Sequence, residues 1–129
     1  MGDRIARHRA ERPPGWQTIE EPRDLLGALT RADGGACVIV DCLSLWVANV
    51  LERGAVEQEA ERAAAVAGSR AGATIAVTNE VGLGVVPAVP LARAYRDALG
   101  RVNATWAAAA DEAYLVVAGR VLPLARIDG

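Results

Sequence analysis

Apolar positions in this chain fall into two patterns, short unbroken runs and stripes at helical spacing. The clearest run is residues 36–42, ACVIVDC, whose β-branched content over so short a length predicts a buried strand. The runs at 75–77 and 114–118 (YLVVA) predict two more buried strands, and the alternating tail at 119–127 an antiparallel edge strand. Stripes lie between the runs. Leu25, Leu26 and Leu29 predict a helix that starts from Pro22 and closes at Asp33, Gly34 and Gly35. The segment LSLWVANVL predicts a helix with Leu45, Val47, Val50 and Leu51 toward the core, and 57–71 a further helix rich in alanine. Leu91, Ala94, Tyr95, Ala98 and Leu99 mark a helix after Pro90 that runs on through 104–110. At the front, residues 3–12 predict a short polar helix. Pro13, Pro14 and Gly15 break it, and 16–19 is a short strand or an extended link. Helical and strand patterns alternate, so the chain reads as α/β.

Composition narrows the picture. The 129 residues fit one domain with a modest core, and the 52% hydrophobic content suits a globular chain, although much of it is alanine. A formal charge of −2 argues against a general nucleic-acid or membrane-surface role. No apolar run approaches the ~20 residues that span a bilayer. The start, MGDRIARHRAER, is charged and lacks the apolar core of a secretory signal. Cys37 and Cys42 sit at opposite ends of one predicted strand. At ~3.3 Å per residue they lie roughly 16 Å apart, too far for a disulfide. A cytoplasmic protein with reduced thiols follows as the expectation. Two cysteines and one histidine are a poor set for a protein metal site.

Polar chemistry gathers where the predicted strands end. Four apolar residues followed by Asp41 form the pattern of a Walker B strand, which brings an acid to the sheet edge near nucleotide or Mg²⁺. After 75–77 come Thr78, Asn79 and Glu80, and then Gly82 and Gly84 open the backbone. The carboxyl edge of an open α/β sheet is where ligands bind. Arg93 and Arg96 bring positive charge three residues apart on the next helix, with Asn103 seven beyond on a similar bearing. The competing reading is a buried strand, a loop and a solvated arginine face. His8 is the only histidine, and Arg4, Arg7, Arg9 and Arg12 surround it. Their forked donors suit phosphate, and their charge favours the neutral, nucleophilic imidazole. The plainer alternative is a solvated side chain on an exposed helix. Glu20 precedes Pro22, where a helix start also favours an acid.

The stretches NEVGLGVVP, LAR-x-x-RD-x-x-GR-x-N and AAAADEAYLVVAG, with VIVDCLSLWVANVL and RIARHRAERPPGWQTIEEP upstream, cover nearly the whole chain. Together they resemble the bifunctional adenosylcobinamide kinase / adenosylcobinamide-phosphate guanylyltransferase family of cobalamin biosynthesis. That resemblance implies a three-layer phosphate-loop NTPase-like domain over residues 1–129, with a mainly parallel sheet. It implies phosphorylation of adenosylcobinamide by ATP or GTP, followed by transfer of GMP from GTP through a histidine. His8 matches the guanylylated position. Arg9, Ala10, Glu11 and Arg12 match the guanine-nucleotide segment, Glu20 a further nucleotide-contacting acid, and Asp41 a nucleotide or Mg²⁺ contact. A trimer is implied as well, with the His8 helix near a subunit boundary.

One part of the family pattern has no counterpart in the sequence. The phosphate loop, G-x-x-x-x-G-K-[ST], needs a lysine, and all fourteen basic residues are arginine. The expectation is a domain without its first strand and phosphate loop, with Met1 a misplaced or internal start and no kinase activity in the isolated chain. The alternative function is a non-catalytic chain that binds nucleotide weakly or folds only with partner chains.

Overall fold

A computed structural model describes residues 15–127. The expected helix at 3–12, with His8, Arg9, Ala10, Glu11 and Arg12, lies outside the described residues. The 16–21 segment is an extended link rather than a strand. Helix α1 spans Leu25–Arg31, and Asp24, not Pro22, caps it, its carboxylate accepting from Gly27 N at 2.9 Å. Strand β1 follows at Val38–Asp41, helix α2 at Leu43–Val50 and a 3₁₀ turn at Leu51–Arg53. Then come α3 (Val56–Ser69), β2 (Thr74–Val77), α4 (Pro90–Ala109), β3 (Tyr114–Val117) and β4 (Arg120–Pro123).

The core is a helical layer laid on one sheet face. Helix α3 buries Val56, Ala60, Ala63 and Ala64, a stripe of small side chains against which α4 packs. Helix α4 answers with Leu99, Val102 and Trp106, spaced three and four apart. Strands β1 and β2 pair in parallel, Val38 with Thr74 through to Asp41 with Val77. Their alternation splits the sheet cleanly. Val38, Val40 and Ala76 pack on the helical core, whereas Ile39, Ile75 and Val77 face outward and are exposed.

The amino ends of both strands are locked together. Arg70 Nη2 donates to Asp33 O at 2.7 Å and Ala36 O at 2.9 Å, and its Nη1 donates to Thr74 Oγ1 at 3.1 Å. Gly72 N donates to Gly34 O at 2.8 Å, and a Cβ on Gly72 would come within 2.1 Å of Ala36 O. Only glycine fits there.

Four expectations about burial are corrected, the first being the run at 75–77, a strand covered on one face only, with Ile75 and Val77 exposed on the other. Leu45 is exposed, and Trp46 takes the core position, because α2 begins at Leu43 and its buried bearing runs through 43, 46, 47 and 50. Leu91 and Ala94 are likewise exposed, since α4 reaches the core only from Tyr95 onward. The run at 114–118 is a strand, but not a buried one. Tyr114, Val116 and Val117 are exposed because β3 pairs antiparallel with β4 in a hairpin, apart from the β1–β2 sheet. The described residues therefore form a mixed α/β fold with a small parallel sheet and an antiparallel hairpin. No helix among them is long and apolar enough to cross a membrane.

Candidate functional site

Strand geometry puts several of the singled-out residues at one edge. Asp41 is the last residue of β1, exposed on the sheet face turned away from the helices, and in register with Val77. Thr78, Asn79 and Glu80 leave the same edge one strand over.

The turn after β2 is gripped from two sides. Ser44, in the first turn of α2, is buried, and its Oγ donates to Asn79 Oδ1 at 2.7 Å. Ser44 Oγ also lies 3.1 Å from Cys42 Sγ. Cys42 Sγ also accepts from Leu45 N at 3.4 Å, capping the start of α2. From α4, Asn103 Nδ2 donates to Asn79 O at 3.0 Å, and Thr78 Oγ1 donates to Asn103 Oδ1 at 2.6 Å. Tyr95 closes the cluster, its hydroxyl donating to Ser44 O at 3.0 Å. Burial, and then the neighbouring Cys42, push the Tyr95 hydroxyl above its ordinary value, so it stays a donor at neutral pH.

The loop at 81–89 is held in place by the arginines of α4. Arg93 Nη1 donates to Pro87 O at 3.0 Å and Ala88 O at 2.7 Å. Arg96 Nη2 donates to Gly82 O at 2.9 Å and more weakly to Gly84 O at 3.4 Å. Glu80 turns back on its own loop, accepting from Gly82 N at 2.7 Å. The arginines are therefore neither a free solvated face nor directed only outward. Beside them runs an open groove lined by Gly82, Arg96, Asp97, Gly100, Arg101 and Ala104.

Glu20 is exposed in the extended link. The helix-start role weighed for it belongs to Glu21, which accepts from Arg23 N at 3.2 Å and Asp24 N at 3.1 Å. Those backbone donors, with Arg31 behind them, hold the Glu21 carboxyl below its ordinary value.

Sequence reasoning missed Ser44 and Tyr95 as members of the site. The available signal was local: a serine inside an otherwise apolar helical run, directly after a strand that ends in Asp. No cluster of three or more His, Cys, Asp or Glu side chains suited to a metal occurs among the described residues. Asp41 contributes a single carboxylate to the edge. That fits a cation carried mainly by phosphate oxygens better than one held in a protein cage.

Known proteins resemble this chain along most of its length. The family model described as cobinamide kinase / cobinamide phosphate guanyltransferase matches residues 1–124. The bifunctional adenosylcobalamin biosynthesis protein CobP of Pseudomonas aeruginosa is 41% identical, over 96% of this chain and 74% of its own length. The bifunctional adenosylcobalamin biosynthesis proteins CobU of Escherichia coli and Salmonella typhimurium are 38% and 37% identical, each over 92% of this chain and 75% of its own length. With a match from the first residue to the end of the β3–β4 hairpin, the chain belongs to the cobinamide kinase / cobinamide phosphate guanyltransferase family.

Proposed function

We propose that this chain serves the chemistry its family is named for, its own residues carrying the transfer of GMP from GTP to adenosylcobinamide phosphate, whereas the phosphorylation of adenosylcobinamide also needs a phosphate-loop lysine that this sequence does not contain. The observation that carries the reading is the family match over residues 1–124, which takes in both His8 and the β1–β2 edge. In the guanylyl step a His8 ring nitrogen attacks the α-phosphorus of GTP. Pyrophosphate leaves with the electron pair of the broken P–O bond, and the ring proton passes to solvent. An oxygen of the cobinamide phosphate then attacks the same phosphorus, and the imidazole leaves. Two moderate displacements replace one hard one.

The other residues divide the remaining work. Arg9, Ala10, Glu11 and Arg12 hold the guanine nucleotide, with Glu20 as a further contact. Asn79 and Glu80 stand at the sheet edge with Asp41. Arg93, Arg96 and Asn103 keep the adjoining loop in shape. Asp41 would hold the Mg²⁺ that accompanies ATP or GTP, and the ion would neutralise triphosphate charge. The architecture we infer is three-layer and phosphate-loop NTPase-like, without the lysine-bearing loop itself, in a cytoplasmic trimer with the His8 segment near a subunit boundary.

A second reading, weak nucleotide binding without turnover or folding only with partner chains, draws on the exposed Ile39, Ile75 and Val77. Parallel strands are ordinarily covered on both faces. One experiment separates the two. Incubation with GTP labelled at the α-phosphate should label the chain, acid should release the label and base should not, and His8→Ala should abolish it. Wild-type protein that takes up no label would favour the second reading. Full labelling of His8→Ala would move the GMP carrier to another residue.

A further inference from the structure

We propose that the loop at 81–89, with the first turn of α4, is the surface on which the corrin macrocycle of cobinamide rests, an inference that builds on the functional reading above. Five large apolar side chains project from this loop and the first turn of α4. Leu83 is 84% exposed and Val85 94%, and Val86, Val89 and Leu91 are also exposed. The β3–β4 hairpin exposes a comparable set, and the loop is the one that directly follows Asn79 and Glu80 at the end of β2.

The loop is not loose. Arg93 and Arg96 bond the carbonyls of Gly82, Gly84, Pro87 and Ala88 from the α4 side. With the backbone tied inward at four points, the apolar side chains between them are presented outward in a fixed array. A preformed surface loses little freedom on binding, which favours a rigid partner.

Area and position select the occupant. Five such side chains offer roughly 400 Å² of apolar surface at the usual transfer coefficient. A stable protein interface takes about 800 Å² per partner, so the patch is small for a second protein. It suits one face of a rigid macrocycle with apolar faces and amide groups at its rim. The polar residues Glu80 and Arg93 border the patch. The loop also leaves the carboxyl end of β2 directly after Asn79 and Glu80, so a corrin seated there lies next to the edge that carries Asp41.

The test is equilibrium dialysis of the full chain against dicyanocobinamide, followed by its visible absorbance. Leu83→Ser combined with Val85→Ser should weaken binding by about tenfold or more, the loss expected from two uncovered aliphatic contacts. The matched control, Val121→Ser with Leu122→Ser on the exposed β3–β4 hairpin, should bind as wild type does. Arg96→Ala, which frees the loop and leaves its side chains unchanged, should weaken binding as well. Circular dichroism verifies that each variant is folded, and labelling by GTP should persist in the Leu83/Val85 variant. Wild-type affinity in that variant overturns the proposal. So does a drop in its oligomeric state with corrinoid binding intact, which would make the loop a contact between copies. If wild type takes up no corrinoid at all, the functional reading fails and this inference with it.

Discussion

Ser44 Oγ and Asn79 Oδ1 meet at 2.7 Å, joining the first turn of α2 to the turn that follows β2 across 35 residues of chain. Ser44 is buried, so this bond fixes the side-chain orientation of Asn79 at the carboxyl edge of the β1–β2 sheet. Removing it with Ser44→Ala should cost about 1 kcal/mol of stability, the usual net worth of one hydrogen bond. Ser44→Val should cost more, because it puts a branched side chain against the Asn79 amide. Urea unfolding of the two variants gives the ranking, and amide exchange at Asn79 and Glu80 should quicken in both.

Arg70 ties the loop before β1 to the start of β2 through bonds to Asp33, Ala36 and Thr74. Charged donors to several acceptors are worth more than a single neutral bond. Arg70→Ala should therefore lower stability by about 2–3 kcal/mol. Arg70→Lys should recover only a fraction, since an ammonium lacks the forked geometry that reaches both sides. The midpoint of urea unfolding should fall without a change of slope.

The β3–β4 turn offers the opposite outcome. Ala118 and Gly119 both have positive φ, 51° and 73°, as a two-residue hairpin turn requires. Alanine is poorly suited to that region, and asparagine or glycine tolerates it. Ala118→Asn should raise stability by about 0.5–1 kcal/mol, read as a higher melting temperature. Ala118→Val should lower it.

Glu21 gives a pH dependence of definite sign. Its folded-state pKa lies below the ordinary carboxylate value, chiefly through the backbone N–H groups of Asp24 and Arg23. Its contribution to stability is present above the unfolded-state value of 4.5 and fades as pH falls through the lower folded value. Glu21→Gln should flatten that part of the acid limb. Stability measured at closely spaced pH values in both proteins gives the comparison, and parallel acid limbs would count against the assignment.

Legibility in the sequence followed the range of the interactions. Strands β1 and β2, the start of α4 at Pro90 and the final hairpin strand were all readable, because each depends on local propensity. Asp41 and Asn79 could be placed at one edge, since both directly follow or end short apolar runs. Burial was harder. The apolar run at β3 looks the same whether or not another layer covers it, and only the structure shows Val116 and Val117 exposed. The burial of Ser44 depends on a partner 35 residues away, which no spacing rule reveals. Arg93 and Arg96 were read as charge, although their geometry makes them supports for a loop.

The alanine seam between α3 and α4 has a mechanical consequence. Helix α4 is 20 residues long, about 30 Å from end to end, and its buried residues run from Leu99 at its middle through Val102 to Trp106. Its near end carries Arg93 and Arg96, and through them the whole loop. Helix α4 is thus seated on Ala60, Ala63 and Ala64 along one side and pinned to α2 through the Tyr95 hydroxyl and Ser44 O, with the loop carried beyond both anchors. A single larger side chain in that seat would tilt the helix, and the displacement would be greatest at the loop, more than a turn of helix beyond the nearest buried residue.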